Sequence, residues 1–346
     1  MAPPVLAAEG DPIGLQVGEP TARVRKILVC LSLTENIALK AAARKIDLII
    51  AHHPLIFEPL NKIDFTTPTG LILKILIQKK ISFFNAHTNL DATCWGVADE
   101  LARAMGLNSQ KTAVLEPLYR EKLLKLVVFV PKDYTEEIIR ALSSAGAGWL
   151  GNYDSCTFST PGVGTFRPLK GTRPFIGKIG RLSHVNEDRV ETIVSEFNLN
   201  EVLGAMWRVH PYEEVAYDLY PLASFGRIFG QGRIGTLPDL RSTENFLKSL
   251  RKKFKSFRVD KPLKQKRLLR KVAVAPGSGG RLVEVAARKG ADLFITGEIK
   301  YHQLQEALGR GLTVVSLGHE ESEQIIVPVV GRYLKEKTNL SIITQI

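Results

Sequence analysis

The sequence predicts an α/β protein with a mostly parallel sheet, interrupted near its middle by a smaller α+β section. Three observations carry that prediction. Strand-like apolar runs alternate with helical stretches over residues 26–107, and the alternation resumes at residue 270. Short connections between such elements favour parallel strands joined by helical crossovers. Between the two stretches lies a section with a different, glycine-punctuated rhythm, and 346 residues suffice for one domain with a large insertion.

The elements follow in order. "KILVCLSL" (26–33) is rich in β-formers, and "TENIALKAAARKI" (34–46) opens on a capping Thr34 and carries apolar residues at helical spacing. "DLIIAHHP" (47–54) is the next strand, closed by Pro54, which keeps His53 out of the α region. "GLILKILIQKK" (70–80) reads as a helix, "ISFFNAHTNLD" (81–91) as a strand running into a loop, and "GVADELARAMGL" (96–107) as a helix. From Lys122 the pattern changes: "KLLKLVVFV" is a strand followed by a helix, and "GNYDSCTF" and "GVGTFRPL" look like a hairpin. "VNEDRVETIVSEF" (185–197) reads as a helix and "EVAYDLYPL" (214–222) as a strand, close to a ferredoxin-like arrangement. The α/β rhythm then returns with "RKVAVAPGSGG", "ADLFITGEIKYH" and "LTVVSLGHEESE". The expected main domain therefore comprises residues 1–121 and 223–346, with the insert at 122–222. No short-period repeat stands out.

The chemistry concentrates at three predicted strand ends, the edge where ligands sit in open α/β sheets. One offers His52 and His53, a second His87 and Asp91, and the last His319 and Glu323, four residues apart. A helical turn after Gly318 would put the last two on one face, although Pro328 warns that the turn is short or kinked. Adjacent histidines serve one cluster only where a strand gives way to a loop. Three histidines and two carboxylates exceed what one zinc needs. They suit two divalent ions roughly 3.5–4 Å apart, with Asp91 as the bridge. Nitrogen and oxygen ligands without thiolate leave zinc, iron, manganese, nickel and cobalt open.

These segments resemble the NIF-three-like family, whose bacterial members are labelled GTP cyclohydrolase 1 type 2 homologues. The likeness rests on "GLQVG", "DLIIAHHPLIF", "NAHTNLD", "APGSGG", "ADLFITGEIKYH" and "GHEESE". "AGAGWLGNYDSCTF", "GVGTFRPLKGTRPFIG" and "VHPYEEVAYDLYPL" are similar to the CutA/PII-like insert of the long bacterial form. The resemblance implies a dinuclear metal centre on His52, His53, Asp91, His319 and Glu323, with His87 beside it, inside a toroidal homohexamer. Three departures stand out: "EGDPIGLQVG" replaces a usual Trp-Asp-Asn segment, Ser32 stands where an Asp is common, and Glu320 replaces a frequent aromatic next to His319.

Two functions remain open. One is a metal-dependent hydrolase, in which a metal-bridging hydroxide attacks a nucleotide-like or phosphoester substrate and His87 or Glu298 moves the proton. The other is a non-catalytic regulatory assembly whose insert senses a ligand or docks a partner. A third, weaker possibility follows from the net charge of +12: the basic run 251–271 could attract nucleic acid, though a solvated helix face explains it more simply. "APGSGG" is either a phosphate-holding turn or a tight strand-to-helix turn. "HPYEE" (210–214) is expected in a local hydrogen-bonded or interface role, and Cys30 as a small buried hydrophobe. Three scattered cysteines and a start without a secretory pattern point to the cytoplasm, and no stretch nears the roughly 20 apolar residues of a membrane helix.

Overall fold

The computed structural model describes residues 1–108, 111–260 and 268–345. The chain forms two compact units: Met1–Tyr119 with Phe229–Ile346, and Arg120–Ile228.

The first unit opens with β1 (Gly14–Val17), β2 (Lys26–Cys30), α1 (Glu35–Ala43), β3 (Leu48–Ala51), α2 (Pro68–Lys79) and β4 (Ser82–Asn85). The short α3 (Thr88–Ala92) and α4 (Val97–Ala104) follow. Thr34 caps α1 as its side chain accepts from the Ile37 amide at 3.3 Å. The segment after β4, expected as loop, is the single turn α3, which carries Asp91. With the C-terminal β13 (Ser341–Gln345), the strands form a sheet in the order β1-β4-β3-β2-β13. Its centre is parallel and β1 is antiparallel. Central parallel strands are covered on both faces, so alternate residues of β2 enter different cores. Leu28 and Cys30 pack with Ile49, Ile72, Leu76 and Phe83, whereas Ile27 and Val29 pack with Leu90, Val97, Ile326 and Val327.

The second unit contains most of β5 (Ala113–Pro131), then α5 (Thr135–Ser144), β6 (Thr157–Phe166), β7 (Ser183–Ser195), α6 (Leu199–Val209) and the start of β8 (Tyr217–Ser242). Its strand order is β6-β7-β5-β8. Here one expectation fails: "VNEDRVETIVSEF" is not a helix but most of β7. Val185, Glu187, Val190, Thr192 and Val194 are buried while several residues between them face outward. That is largely a period of two, and pairing with both β5 and β6 holds it extended. The helix of this stretch is α6, which buries Val202, Leu203 and Met206 against Leu126, Val128, Val130, Ile138 and Leu142.

The first unit is completed by α7 (Thr243–Arg251), β9 (Arg258–Val259), β10 (Leu268–Ala275), α8 (Val283–Arg288), β11 (Leu293–Thr296), α9 (Tyr301–Gly309), β12 (Thr313–Ser316), α10 (His319–Glu323) and α11 (Ile326–Lys337). Within this unit the strands run β8-β10-β11-β12-β9, parallel at the centre and antiparallel at both margins. Both sheets are therefore mixed around parallel cores. Of the basic run 251–271, residues 261–267 lie outside the described residues. In the described part Lys253 Nζ donates to the Ala104 carbonyl at 2.6 Å and Arg258 pairs with Asp260. No described helix is long and apolar enough to cross a membrane.

The two sheets of the first unit repeat one local plan. Asp47 Oδ2 accepts the amides of Arg25 and Lys26, both at 2.8 Å, and Lys26 Nζ donates to the Arg44 carbonyl at 3.0 Å. Asp292 Oδ2 likewise accepts the amides of Arg270 and Lys271 at 3.0 and 2.8 Å, and Lys271 Nζ donates to the Lys289 carbonyl at 2.7 Å. Counting forward five and six residues from each Asp reaches His52 and His53 in one copy and Gly297 and Glu298 in the other. "HTNLD" (87–91) and "HEESE" (319–323) then match as His and carboxylate four apart on a one-turn helix.

Candidate metal centre

Both sheets of the first unit deliver side chains from the ends of their parallel strands. β3 ends at Ala51, and the amides of His52 and His53 both donate to the Leu31 carbonyl, at 3.1 and 2.9 Å. This turns the histidine pair out of the strand before Pro54. The following loop is held by Gln16, whose Oε1 accepts the amides of Leu55 and Ile56 at 2.9 and 3.0 Å. On the other side, Gly318 adopts φ +91° and starts α10, a five-residue turn that puts His319 and Glu323 on one face. Pro328 falls in the first turn of α11 and so costs no helical hydrogen bond.

The imidazoles cluster. His52 lies 5.1 Å from His53 and 5.3 Å from His87 between ring centroids, and His53 lies 5.4 Å from His319. Glu323 Oε2 is 2.9 Å from His53 Nε2, 3.3 Å from His319 Nε2 and 4.0 Å from His52 Nε2, while Asp91 Oδ1 is 3.5 Å from His52 Nε2. Three overlapping groups have ligand atoms within 4.8 Å of one another: His52, His53 and His87; His53, His319 and Glu323; and His52, Asp91 and Glu323. The residues singled out in the sequence thus meet, with Glu298 at the margin, its Oε2 3.3 Å from His319 Nδ1.

Each ring is oriented from behind, as metal-bound histidines are. The Nδ1–H of His52 donates to the Ala86 carbonyl at 2.9 Å, which aims the Nε2 lone pair inward. Ser32 Oγ is 2.7 Å from His53 Nδ1 and supplies its partner there. His87 Nδ1 is 2.9 Å from Asp11 Oδ1, and Asp11 Oδ2 accepts the Thr88 amide at 3.1 Å and the Thr88 hydroxyl. Sequence reasoning missed Asp11. Its contact with His87 spans 76 residues, and "GDP" carries no signal beyond a turn. It also left Gly277 of "APGSGG" without a role at the centre. A Cβ there would lie 2.0 Å from Glu323 Oε1, and φ is +56°. The segment is a tight turn walled against Glu323, leading into a 3-10 turn and the short α8.

The electrostatics fit a cation. Burial pushes the Asp91 carboxyl well above its ordinary value, and the neighbouring Glu323 and Asp11 carboxylates push it further. Burial lowers the His52 imidazole to about 4. Hydrogen bonding with Glu323 raises His319 to about 9 against its burial. Burial works to raise Glu323, but bonds with His319 and His53 outweigh it and hold the carboxyl at about 2. His52 Nε2 and Asp91 Oδ1 are buried without a hydrogen-bond partner, which leaves both able to face a cation. Imidazole and carboxylate donors without thiolate suit first-row divalent metals.

Comparison with known proteins finds a family model, relatives and a solved structure that match nearly the whole chain. The model of the Duf34/NIF3 (NGG1p interacting factor 3) family matches residues 1–345. A protein of Halalkalibacterium halodurans named GTP cyclohydrolase 1 type 2 homolog is 45% identical over 320 residues, covering 92% of this chain and 85% of that protein. A Bacillus subtilis protein of the same name is 40% identical, covering 98% of this chain and 90% of that one. The crystal structure of a Bacillus cereus protein related to NIF3 superposes with a TM-score of 0.87 at 41% identity, covering 100% of this chain and 93% of that chain.

Proposed function

From the premise that this chain belongs to the Duf34/NIF3 family, we propose that it is a metal-dependent hydrolase acting on a nucleotide-like or phosphoester substrate. Its two divalent ions would be held by His52, His53, Asp91, His319 and Glu323. The observation that carries this reading is the pair of buried atoms without hydrogen-bond partners, His52 Nε2 and Asp91 Oδ1, at the meeting point of three converging ligand groups. The name GTP cyclohydrolase 1 type 2 homolog, borne by the relatives, supports the substrate class.

Two such ions, when bound, lower the pKa of water and polarise the bond to be cleaved. The chain's own groups do the rest. Asp11 accepts the Nδ1 proton of His87 and leaves Nε2 free to take a proton from the nucleophile. Glu298 holds the Nδ1 side of His319 and takes a second bond from Ser278 Oγ at 3.1 Å, an arrangement that favours orientation over proton transfer. Nickel, cobalt, manganese, iron and zinc all suit the donor set.

A second reading, a non-catalytic assembly whose insert binds a regulator, draws on the second unit. Its β-α-β-β-α-β order and the sheet β6-β7-β5-β8 are those expected of a ferredoxin-like insert, here taken as residues 122–222. One experiment separates the two. Metal per chain is measured, and turnover on phosphodiesters and nucleotides is compared with that of Asp91→Ala. Metal-dependent turnover lost in the variant supports the hydrolase. Bound metal with no turnover on a broad panel rejects it in favour of the second reading.

A further inference from the structure

The second unit holds a cavity of about 400 Å³ whose lining includes the aromatic residues Phe129, Phe166, Phe175 and Tyr212 and the carboxylate of Glu187. Phe166 and Phe175 lie 5.8 and 6.4 Å from Tyr212 between ring centroids, both inclined to it. Glu187 comes from β7 and is only 8% exposed. Its Oε1 accepts the Tyr212 hydroxyl at 2.8 Å, and its Oε2 lies against Gly164, where a Cβ would be 2.0 Å away.

We infer that this cavity binds a small organic cation: an ammonium or guanidinium group against Glu187, carried on an apolar body between Phe166, Phe175 and Tyr212. The first reason is charge. Among the described residues, no lysine or arginine forms an ion pair with Glu187, and one hydroxyl satisfies little of a carboxylate with about four acceptor sites. His210, which interacts with Glu187 electrostatically, brings no positive charge. Its Nε2 is 3.1 Å from the Phe129 carbonyl, to which it donates, and its Nδ1 accepts the Tyr212 amide at 3.2 Å, so the ring is neutral. A buried carboxylate in that setting is costly unless a cation joins it.

The second reason is the wall. Aromatic faces attract cations, and the effect grows where water is excluded. The volume lies in the range of small-molecule sites. Glu213 and Glu214 add negative charge at the lining, although Glu213 already accepts the Arg173 amide at 3.0 and 3.1 Å. Arg167 also lines the cavity but is exposed, at its rim. An anionic ligand would have to meet Glu187. "HPYEE" thus gains a role beyond local bonding: Tyr212 lines the cavity, and the His210 ring packs on it at 5.2 Å between centroids.

The test uses the full chain and three probes of similar size: 2-phenylethylamine, 2-phenylethanol and 3-phenylpropionate, titrated by calorimetry. The amine should bind about tenfold or more tightly than the alcohol. Glu187→Gln should cancel that advantage and leave alcohol binding unchanged, and Phe175→Ala should weaken both. Amide NMR of the unaltered chain provides a readout independent of variant folding: the amine should shift Gly164, Glu187 and Tyr212 more than the alcohol does. Equal binding of amine and alcohol, an amine preference surviving Glu187→Gln, tighter binding of the anion, or no binding of any probe would each overturn the assignment.

Discussion

His53 Nε2 lies 2.9 Å from Glu323 Oε2, although 270 residues separate the two in the chain. The contact joins the strand ends of both sheets of the first unit at one point. Glu323 is the hub, since His52, His53 and His319 all approach its Oε2. Glu323→Gln keeps the shape and removes the charge that offsets a bound cation. Metal affinity should fall more than about tenfold, beyond the lower end of what loss of an outer partner costs, as read by metal titration against a chelator. Unchanged affinity would remove Glu323 from the centre.

Gly277→Ala tests the wall behind that hub. The new methyl would sit 2.0 Å from Glu323 Oε1 and 3.3 Å from His319 Nε2, at a φ of +56° that disfavours any side chain. Either the carboxylate moves or the turn does. Metal content per chain should drop while the second unit, which lacks these residues, keeps its fold. Full metal occupancy in the variant would show that the turn yields without disturbing Glu323.

Much of the candidate centre is legible because its residues sit in short local patterns. "AHHP" at a strand end, and His and carboxylate four apart, are visible in one dimension. What stayed hidden was long-range. Asp11 on His87, and Gly277 against Glu323, depend on chain separations no local pattern reports. The internal repeat was hidden differently: the two copies share "ARK", a nearby Asp, a strand and a His four residues before a carboxylate, but His52 and His53 correspond to Gly297 and Glu298, and the spacing between copies shifts along the chain. Residues 185–197 misled because "DRVETIVSEF" also satisfies a helical spacing. Only pairing on both sides decides for β7.

His210 makes the second unit sensitive to acid. Burial holds its imidazole below the ordinary value of 6.5, with the Phe129 carbonyl and the Glu187 carboxylate opposing. Its Nδ1 faces the Tyr212 amide, a donor, so a second ring proton has nothing to meet. The neutral form is therefore favoured on folding. Its contribution is whole above pH 6.5 and shrinks as the pH falls below that value, because the unfolded chain then binds the proton more readily. Urea midpoints followed by Trp207 fluorescence should fall between pH 7 and pH 5, and less so in His210→Gln. An equal decline in both proteins would exclude His210 as the source.

Arg233 predicts a stability effect remote from the chemistry. The side chain is 3% exposed, and its guanidinium donates to the carbonyls of Gly230, Gly232 and Thr93 at 2.8, 2.9 and 3.1 Å and to both oxygens of Asp99. It thereby ties β8 to α4 and to the segment after α3, which carries Asp91. Removing it in Arg233→Ala leaves buried carbonyls without a donor and Asp99 without a cation. Loss of one partner from a buried pair costs about 3–5 kcal/mol, and Asp99's partial exposure places the expectation at about 3 kcal/mol, the lower end of that range. Chemical unfolding should show that loss, and metal affinity should fall less than in Glu323→Gln, since Arg233 touches none of the proposed ligands. A larger metal defect than stability defect would instead mean that Arg233 positions Asp91, with Thr93 as the link between them.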